Sequence, residues 1–314
     1  MFSEEVREIA RRLLAEKEVD MIIGYQWGSL PFRTSPLFAE ELQDVEKMIF
    51  NPLCSVNLSR YLQRYKKSDK RLGIVAKGCD ARSLIVLLQE EQFERERLKI
   101  IGVPCRGILD WRKMWDSLGN FSHDAVFWKE EGFVIEGKEY HYQDFMENTC
   151  LRCRYPNPPL YDFLVGEPLD KSNWEKFGLD YVQEMDSKSP EKRFDELYRE
   201  LSSCIRCYAC REACPLCYCN ECFVESTHPR WTTPCPTFSD NFVFHMGRAM
   251  HLAGRCVECG ACERACPVGI PIALLTIKVE SIVKEYFGFE AGLSLEEKAP
   301  LLTYKENDPN EFIK

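Results

Sequence analysis

The residues of this chain best equipped for chemistry are its 17 cysteines, and eight of them repeat one spacing. Cys204-x2-Cys207-x2-Cys210-x3-Cys214-Pro215 recurs as Cys256-x2-Cys259-x2-Cys262-x3-Cys266-Pro267. Such tight intervals let one backbone loop wrap three corners of a 4Fe-4S cubane while the fourth thiolate leaves for the neighbouring cluster. Cys204, Cys207, Cys210 and Cys266 then hold one cluster, and Cys256, Cys259, Cys262 and Cys214 the other. The competing reading is a pair of zinc sites on Cys-x2-Cys arms. Zinc needs four thiolates per site and has no use for the third x2 interval or for the Cys-Pro endings.

Two such runs in one chain match a bacterial two-cluster ferredoxin module, and helices are needed to frame it. Ser189-Pro190 followed by Phe194, Leu197, Tyr198 and Leu201 predicts a capped amphipathic helix leading into the first run. Leu274 to Phe287, closed by Gly288, predicts a helix leaving the second.

A further set of cysteines depends on a different element. Leu72 to Ala76 reads as a strand, Asp80 as the cap of an apolar helix through Ser83, Leu84, Val86, Leu87 and Leu88, and Leu98 to Val103 as a second strand. In this βαβ unit the strands are expected to be parallel and adjacent, about 4.8 Å apart. Cys79 and Cys105 follow their carboxyl ends, where open α/β sheets place ligands. Cys150-x2-Cys153 completes four thiolates for a third 4Fe-4S cluster, the alternative being that Cys79 and Cys105 are buried core residues. Cys217, Cys219, Cys222 and Cys235 lie between the two ferredoxin runs and suit either a fourth cluster or one structural zinc. Cys54 has no partner spacing and is expected to be a small buried hydrophobe.

Composition narrows the remaining options. A net charge of -9 without a long basic run excludes the positive footprint of a nucleic-acid or anionic-membrane binder. The opening segment is acidic and amphipathic rather than a secretory signal, and no run of about 18 apolar residues suggests a membrane span. A cytoplasmic, reducing location follows, in which so many cysteines hold metal rather than disulfides. The predicted organisation is an α/β domain with a mixed or parallel sheet flanked by helices over 1–188, a helical two-cluster ferredoxin-like domain with a cysteine-rich insertion over 189–290, and a charged tail over 291–314. His123, His141, His228, His245 and His251 are scattered. His245 and His251, six apart, do not share a helix face, and all five are read as structural.

Several segments together resemble a known family, the iron-sulfur flavoprotein beta subunits of formate dehydrogenases and of hydrogenases that reduce the deazaflavin coenzyme. They are Lys77-Gly78-Cys79-Asp80-Ala81-Arg82, Gly102-Val103-Pro104-Cys105, and Cys150-Leu151-Arg152-Cys153 with Asp162 and Gly166 downstream. Cys204-Ile205-Arg206-Cys207-Tyr208-Ala209-Cys210 leading into Cys214-Pro215-Leu216-Cys217-Tyr218-Cys219 completes the set. The resemblance covers most of residues 20 to 285 and independently implies the third cluster. It also implies FAD in the α/β domain beside that cluster, and assembly into larger redox complexes. By similarity Gly78, Asp80, Ala81 and Arg82 are the expected flavin contacts, Arg82 being alternatively a solvated helix-face charge. No Gly-x-Gly-x-x-Gly run follows a predicted strand, so the flavin would not bind in Rossmann fashion.

A cubane passes single electrons whereas formate and hydride carriers exchange pairs, so a flavin is the natural junction between them. The expected function is an oxidoreductase subunit passing electrons between FAD, the adjacent cluster, the ferredoxin pair and a partner such as a formate dehydrogenase or hydrogenase. The alternative is a flavin-free relay linking a dehydrogenase to a heterodisulfide-reductase-like partner. A zinc-bound, non-redox scaffold is the third reading.

Overall fold

The computed structural model describes residues 2–304 other than 120, 123–124 and 171–178, together with 306 and 308, the side chains of 179–181 excepted. His123 lies outside the described residues. The chain divides into two compact units, Met1–Phe177 and Gly178–Lys314.

Apolar runs build the first unit. Strands β1 (Met21–Trp27), β2 (Thr34–Ala39), β3 (Leu72–Ala76) and β4 (Leu98–Gly102) join the two-residue strand Phe163–Leu164 in one sheet. Its order is β2-β1-β3-β4 and then Phe163–Leu164, with β1–β2 antiparallel and the other pairings parallel. The expected β3–β4 pair is therefore adjacent and parallel, Ala76 standing opposite Gly102. Strand β2 contains Pro36, which lacks an N–H, and it occupies the sheet edge, where that donor is dispensable. Asp162 fastens the other edge, its carboxylate accepting from the Ile100 N–H at 2.7 Å.

The Gly78–Gln89 helix begins one residue after β3 and is buried on nearly every side, its polar Asp80, Arg82 and Ser83 included. Lys77, not Asp80, holds the N-cap position. Asp80 sits in the first turn and reaches back to accept the Lys77 N–H at 3.0 Å. Turning this tightly requires glycine at 78, because a Cβ there would stand 2.1 Å from the Tyr155 carbonyl oxygen. We expect Gly78→Ala to cost ~1–3 kcal/mol through forced backbone displacement, read as a lower midpoint in chemical denaturation. A midpoint within error of wild type would mean the 155–157 loop yields freely.

A second, antiparallel sheet of Phe127–Trp128, Gly132–Ile135 and Lys138–His141 was not expected from the sequence. Its hairpin turns on Glu136 and Gly137, both with positive φ, the pattern of a two-residue type I′ turn. Phe133, fully buried, packs between Tyr140, Tyr142 and Phe145 in a separate core.

Helices dominate the second unit. Ser189 caps Pro190–Ser202, accepting from the Lys192 N–H at 3.4 Å, as its sequence predicts. The anticipated apolar stripe is only partly covered: Leu201 is buried, while Phe194 and Tyr198 remain about half exposed and lean on the Phe238 ring. Ala273–Phe287 ends on Gly288 at φ 64°, matching its predicted close. At the start of the 291–314 segment Ala291 and Ala299 are buried and Pro300–Leu302 forms a single 3-10 turn. Residues 305, 307 and 309–314 of that tail lie outside the described residues.

Candidate iron-sulfur centres

The two ferredoxin-type loops of the second unit fold alike, residue by residue. In the first, Arg206 and Tyr208 take φ of 51° and 59°; in the second, Glu258 and Gly260 at the corresponding positions take 57° and 69°. Left-handed backbone at those two places turns the N–H of the third residue onto the first sulfur. Arg206 N–H donates to Cys204 Sγ at 3.4 Å, and Glu258 N–H donates to Cys256 Sγ at 3.4 Å. Strained φ at non-glycine residues persists where the surroundings demand it, here at Arg206, Tyr208 and Glu258. Each loop then runs into a short helix, Ala209–Ala213 or Ala261–Arg264. A third amide, that of Ile270, donates to Cys266 Sγ at 3.3 Å.

The thiols sort across the two runs rather than within them. Burial pushes the Cys204 thiol up, with Cys266 and Cys207 as its neighbouring thiols. Burial likewise pushes Cys210 up to about 12, with Cys262, Cys204 and Cys266 near it. Cys259, raised by burial to about 11, has Cys214 and Cys262 beside it, and Cys262 in turn has Cys214. Hence Cys266 stands with the first loop and Cys214 with the second. Protonated thiols this deeply buried are poor nucleophiles, and such groups ionise readily only against a metal. That donor set fits thiolate-ligated cubanes, whose four sulfurs each bind a different iron and so spread more widely than the shell of one ion. Among the described residues no three His, Cys, Asp or Glu side chains converge on a single-ion site.

Cys217 is drawn to this module. Its thiol hydrogen-bonds to the Cys214 sulfur, which is thereby held down, with Arg248 adding to the effect. Cys222 hydrogen-bonds through its thiol to Arg211 and through its N–H to Glu225. Cys219 and Cys235 are exposed.

In the first unit, burial raises the Cys105 thiol to about 12, with Cys150 and Cys153 near it. The buried Lys77 and Tyr25 both feel Cys79 and Cys105. All four expected members therefore share one neighbourhood. Cys153 N–H donates to the Cys150 carbonyl at 3.1 Å, closing the tight turn between them. Beneath them lies a buried polar network. The Asp80 carboxylate meets Lys77 Nζ at 2.8 Å, accepts from the Leu58 N–H at 3.2 Å, and lies 3.5 Å from the Tyr25 hydroxyl. Lys77 Nζ also donates to Tyr25 and to the Val56 carbonyl. Burial opposes the Lys77 charge, but Asp80 and the thiols outweigh it and the ammonium is held. Cys54, fully buried with its thiol raised to about 12, is the small hydrophobe anticipated.

Gly78, Asp80, Ala81 and Arg82 are all enclosed by protein. Arg82 is not a solvated helix-face charge: it is 3% exposed, with its guanidinium 4.1 Å from the centre of the Tyr155 ring. A cavity of about 340 Å³ opens instead beside Cys105, walled by Phe50, Arg106, Trp128, Lys129 and Tyr142. None of those five was singled out in the sequence. Trp128 belongs to the unexpected second sheet, and only the fold brings it to Cys105.

His245, one of the histidines read as structural, stands beside a cysteine of the first loop. Its Nε2 lies 3.3 Å from Cys204 Sγ across 41 residues of chain, a separation no local pattern reports. Burial and the nearby Arg248 lower its pKa to about 4, so the ring is neutral at pH 7. His141, His228 and His251 are exposed.

An α/β unit with one cysteine set and a helical unit with two loops of the ferredoxin kind are the framework of an iron-sulfur protein. Residues 203–271 match the 4Fe-4S dicluster domain family. Over 92% of its length the chain is 23% identical to "F420-dependent formate dehydrogenase subunit beta" of Methanocaldococcus jannaschii, 91% of which is covered. Over 94% it is 23% identical to "F420-dependent formate dehydrogenase 1 subunit beta" of Methanococcus maripaludis, again covering 91%. A chain of the F420-reducing [NiFe] hydrogenase complex from Methanosarcina barkeri aligns at a TM-score of 0.42 and 13% identity, covering 64% of this chain and 86% of that one. No helix among the described residues is long and apolar enough to cross a membrane.

Proposed function

We propose that this chain is the electron-transferring, flavin-bearing subunit of a multi-subunit oxidoreductase of the formate dehydrogenase or deazaflavin-reducing kind, working in the cytoplasm. The observation that carries the reading is the matched pair of loops, each aiming a backbone N–H at its first cysteine sulfur. Amides so directed lower the cost of holding anionic sulfur and tune the bound cluster. Cys204, Cys207, Cys210 and Cys266 would hold one cluster, and Cys256, Cys259, Cys262 and Cys214 the second. Cys79, Cys105, Cys150 and Cys153 would hold a third. Cys217, Cys219, Cys222 and Cys235 would supply a fourth cluster or one zinc.

The cavity beside Cys105 supports a flavin. Its volume suits a ring-sized ligand, and Trp128 and Tyr142 offer stacking faces; Arg106, paired with Glu130, and Lys129, paired with Glu139, line it beside Glu167 and offer hydrogen-bond donors rather than net charge. Bound there, FAD would exchange electron pairs with a hydride-carrying substrate and single electrons with the clusters. This chain's part is to hold the ring against the third cysteine set and to exclude water from it. The enclosed Gly78-to-Arg82 turn would then act indirectly, by fixing Cys79.

Anaerobic purification followed by iron and acid-labile sulfide analysis should find about 12 iron atoms per chain for three cubanes and about 16 for four. A single zinc beside 12 iron would assign the last four cysteines to zinc. Denaturation should release one flavin, and Cys79→Ser should lose both that flavin and about four iron atoms while the ferredoxin pair survives. Full iron with no flavin would favour the relay reading, whereas zinc without sulfide would favour the scaffold and end the redox one.

A further inference from the structure

The Phe238–His251 helix carries two buried groups for which cluster ligation alone leaves no task. His245 and Arg248 are three residues apart and so leave the same face. They are 2% and 4% exposed. His245 Nε2 lies 3.3 Å from Cys204 Sγ, while its Nδ1 is buried without a partner. A neutral imidazole has one N–H. With Cys204 as a thiolate, that proton belongs on Nε2 and the ring donates to sulfur. Arg248 Nη2 donates to the Cys210 carbonyl at 3.3 Å, and its Nε is buried without a partner. No carboxylate among the described residues pairs with this guanidinium. Around it stand the sulfurs of Cys210 from one ligand set, Cys262 and Cys214 from the other, and Cys217 from neither. A buried cation without counter-charge is strongly disfavoured. Clusters held by four thiolates supply that counter-charge from either side.

We propose that His245 and Arg248 set the reduction potentials of the two ferredoxin clusters, Arg248 as a fixed cation shared by both and His245 as an N–H donor to the first alone. Reduction adds one negative charge to a cluster, so a nearby cation or a donor to its sulfur favours the reduced form and raises the potential. The inference rests on the two-cluster reading above. Its consequence is an unequal pair: the Cys204 cluster receives both influences and the Cys256 cluster one.

Redox titration followed by electron paramagnetic resonance, on protein whose iron and sulfide are counted first, tests it. His245→Leu should shift one cluster downward by about tenfold in reduced-to-oxidised ratio at fixed potential, which is about 59 mV for one electron. The other cluster should stay in place. His245→Gln, which keeps an N–H near the same point, should restore most of the shift. Arg248→Met should lower both clusters, and Arg248→Lys should lower them less. If Arg248→Met retains too little iron to titrate, the His245 pair and Arg248→Lys decide. Unchanged potentials at full iron content, or equal movement of both clusters in His245→Leu, would overturn the inference. A wild-type protein without two cubane signals would overturn the underlying assignment instead.

Discussion

Serine at both Cys207 and Cys266 should remove a single cluster, about four iron atoms per chain, whereas serine at both Cys207 and Cys214 should remove two, about eight. The asymmetry follows from the exchange of fourth ligands. Cys266 neighbours Cys204 and Cys210, while Cys214 neighbours Cys259 and Cys262. In the proposed scheme Cys207 and Cys266 would serve one cubane, and the second substitution would have nothing further to destroy. Cys207 and Cys214 would serve different cubanes, and their losses would add. Were each run to keep its own fourth cysteine, the two double variants would exchange results. Comparing one double variant with the other cancels any general loosening of the loops, because both carry the same first lesion. Iron per chain after anaerobic gel filtration is the measurement, and equal losses in the two variants would refute the crossed scheme.

Lys77→Met should destabilise the first unit by ~3–5 kcal/mol, the cost of leaving a buried carboxylate without its counter-ion. Asp80 is fully enclosed and has no route to solvent. Asp80→Leu should cost still more. It strands the ammonium and also frees the Lys77 and Leu58 N–H groups, which that carboxylate accepts at 3.0 and 3.2 Å, at ~1–3 kcal/mol for each buried donor left unsatisfied. Against a typical domain stability of ~5–15 kcal/mol, either change should reduce folded yield visibly. Urea denaturation followed by tryptophan fluorescence reports on this unit through Trp27, Trp111, Trp115 and Trp128. The double variant Lys77→Met/Asp80→Leu should cost less than the two single losses together, since it leaves neither charge alone. A Lys77→Met protein within ~1 kcal/mol of wild type would show that the pair is not what holds this turn.

Much of the site was legible because its intervals are short. Cys204 to Cys214 and Cys256 to Cys266 span so few residues that backbone geometry alone dictates what they can surround. Ser189, Pro190 and Gly288 mark helix ends by conformational preference at single positions, and the ends fall there. The β3–β4 pair was readable because an apolar strand, helix and strand in succession can close only one way. Where the reading stopped, a local rule had been overridden. Pro36 obscured an edge strand, and Glu136 concealed a turn whose positive φ glutamate seldom adopts.

The sequence by itself determined the donor chemistry: which sulfurs come in threes, what kind of cluster such loops enclose, and that an α/β unit precedes them. Tertiary structure alone decided which side chains stand around those sulfurs. His245 reaches Cys204 from 41 residues away, Arg248 lies among thiols of both runs, Arg82 is enclosed, and Trp128 comes to the cavity beside Cys105. The division has a physical cause. Ligand spacing is a property of consecutive bonds, while the surroundings of a buried charge depend on how helices and sheets pack, and no stretch of sequence shorter than the fold records that packing.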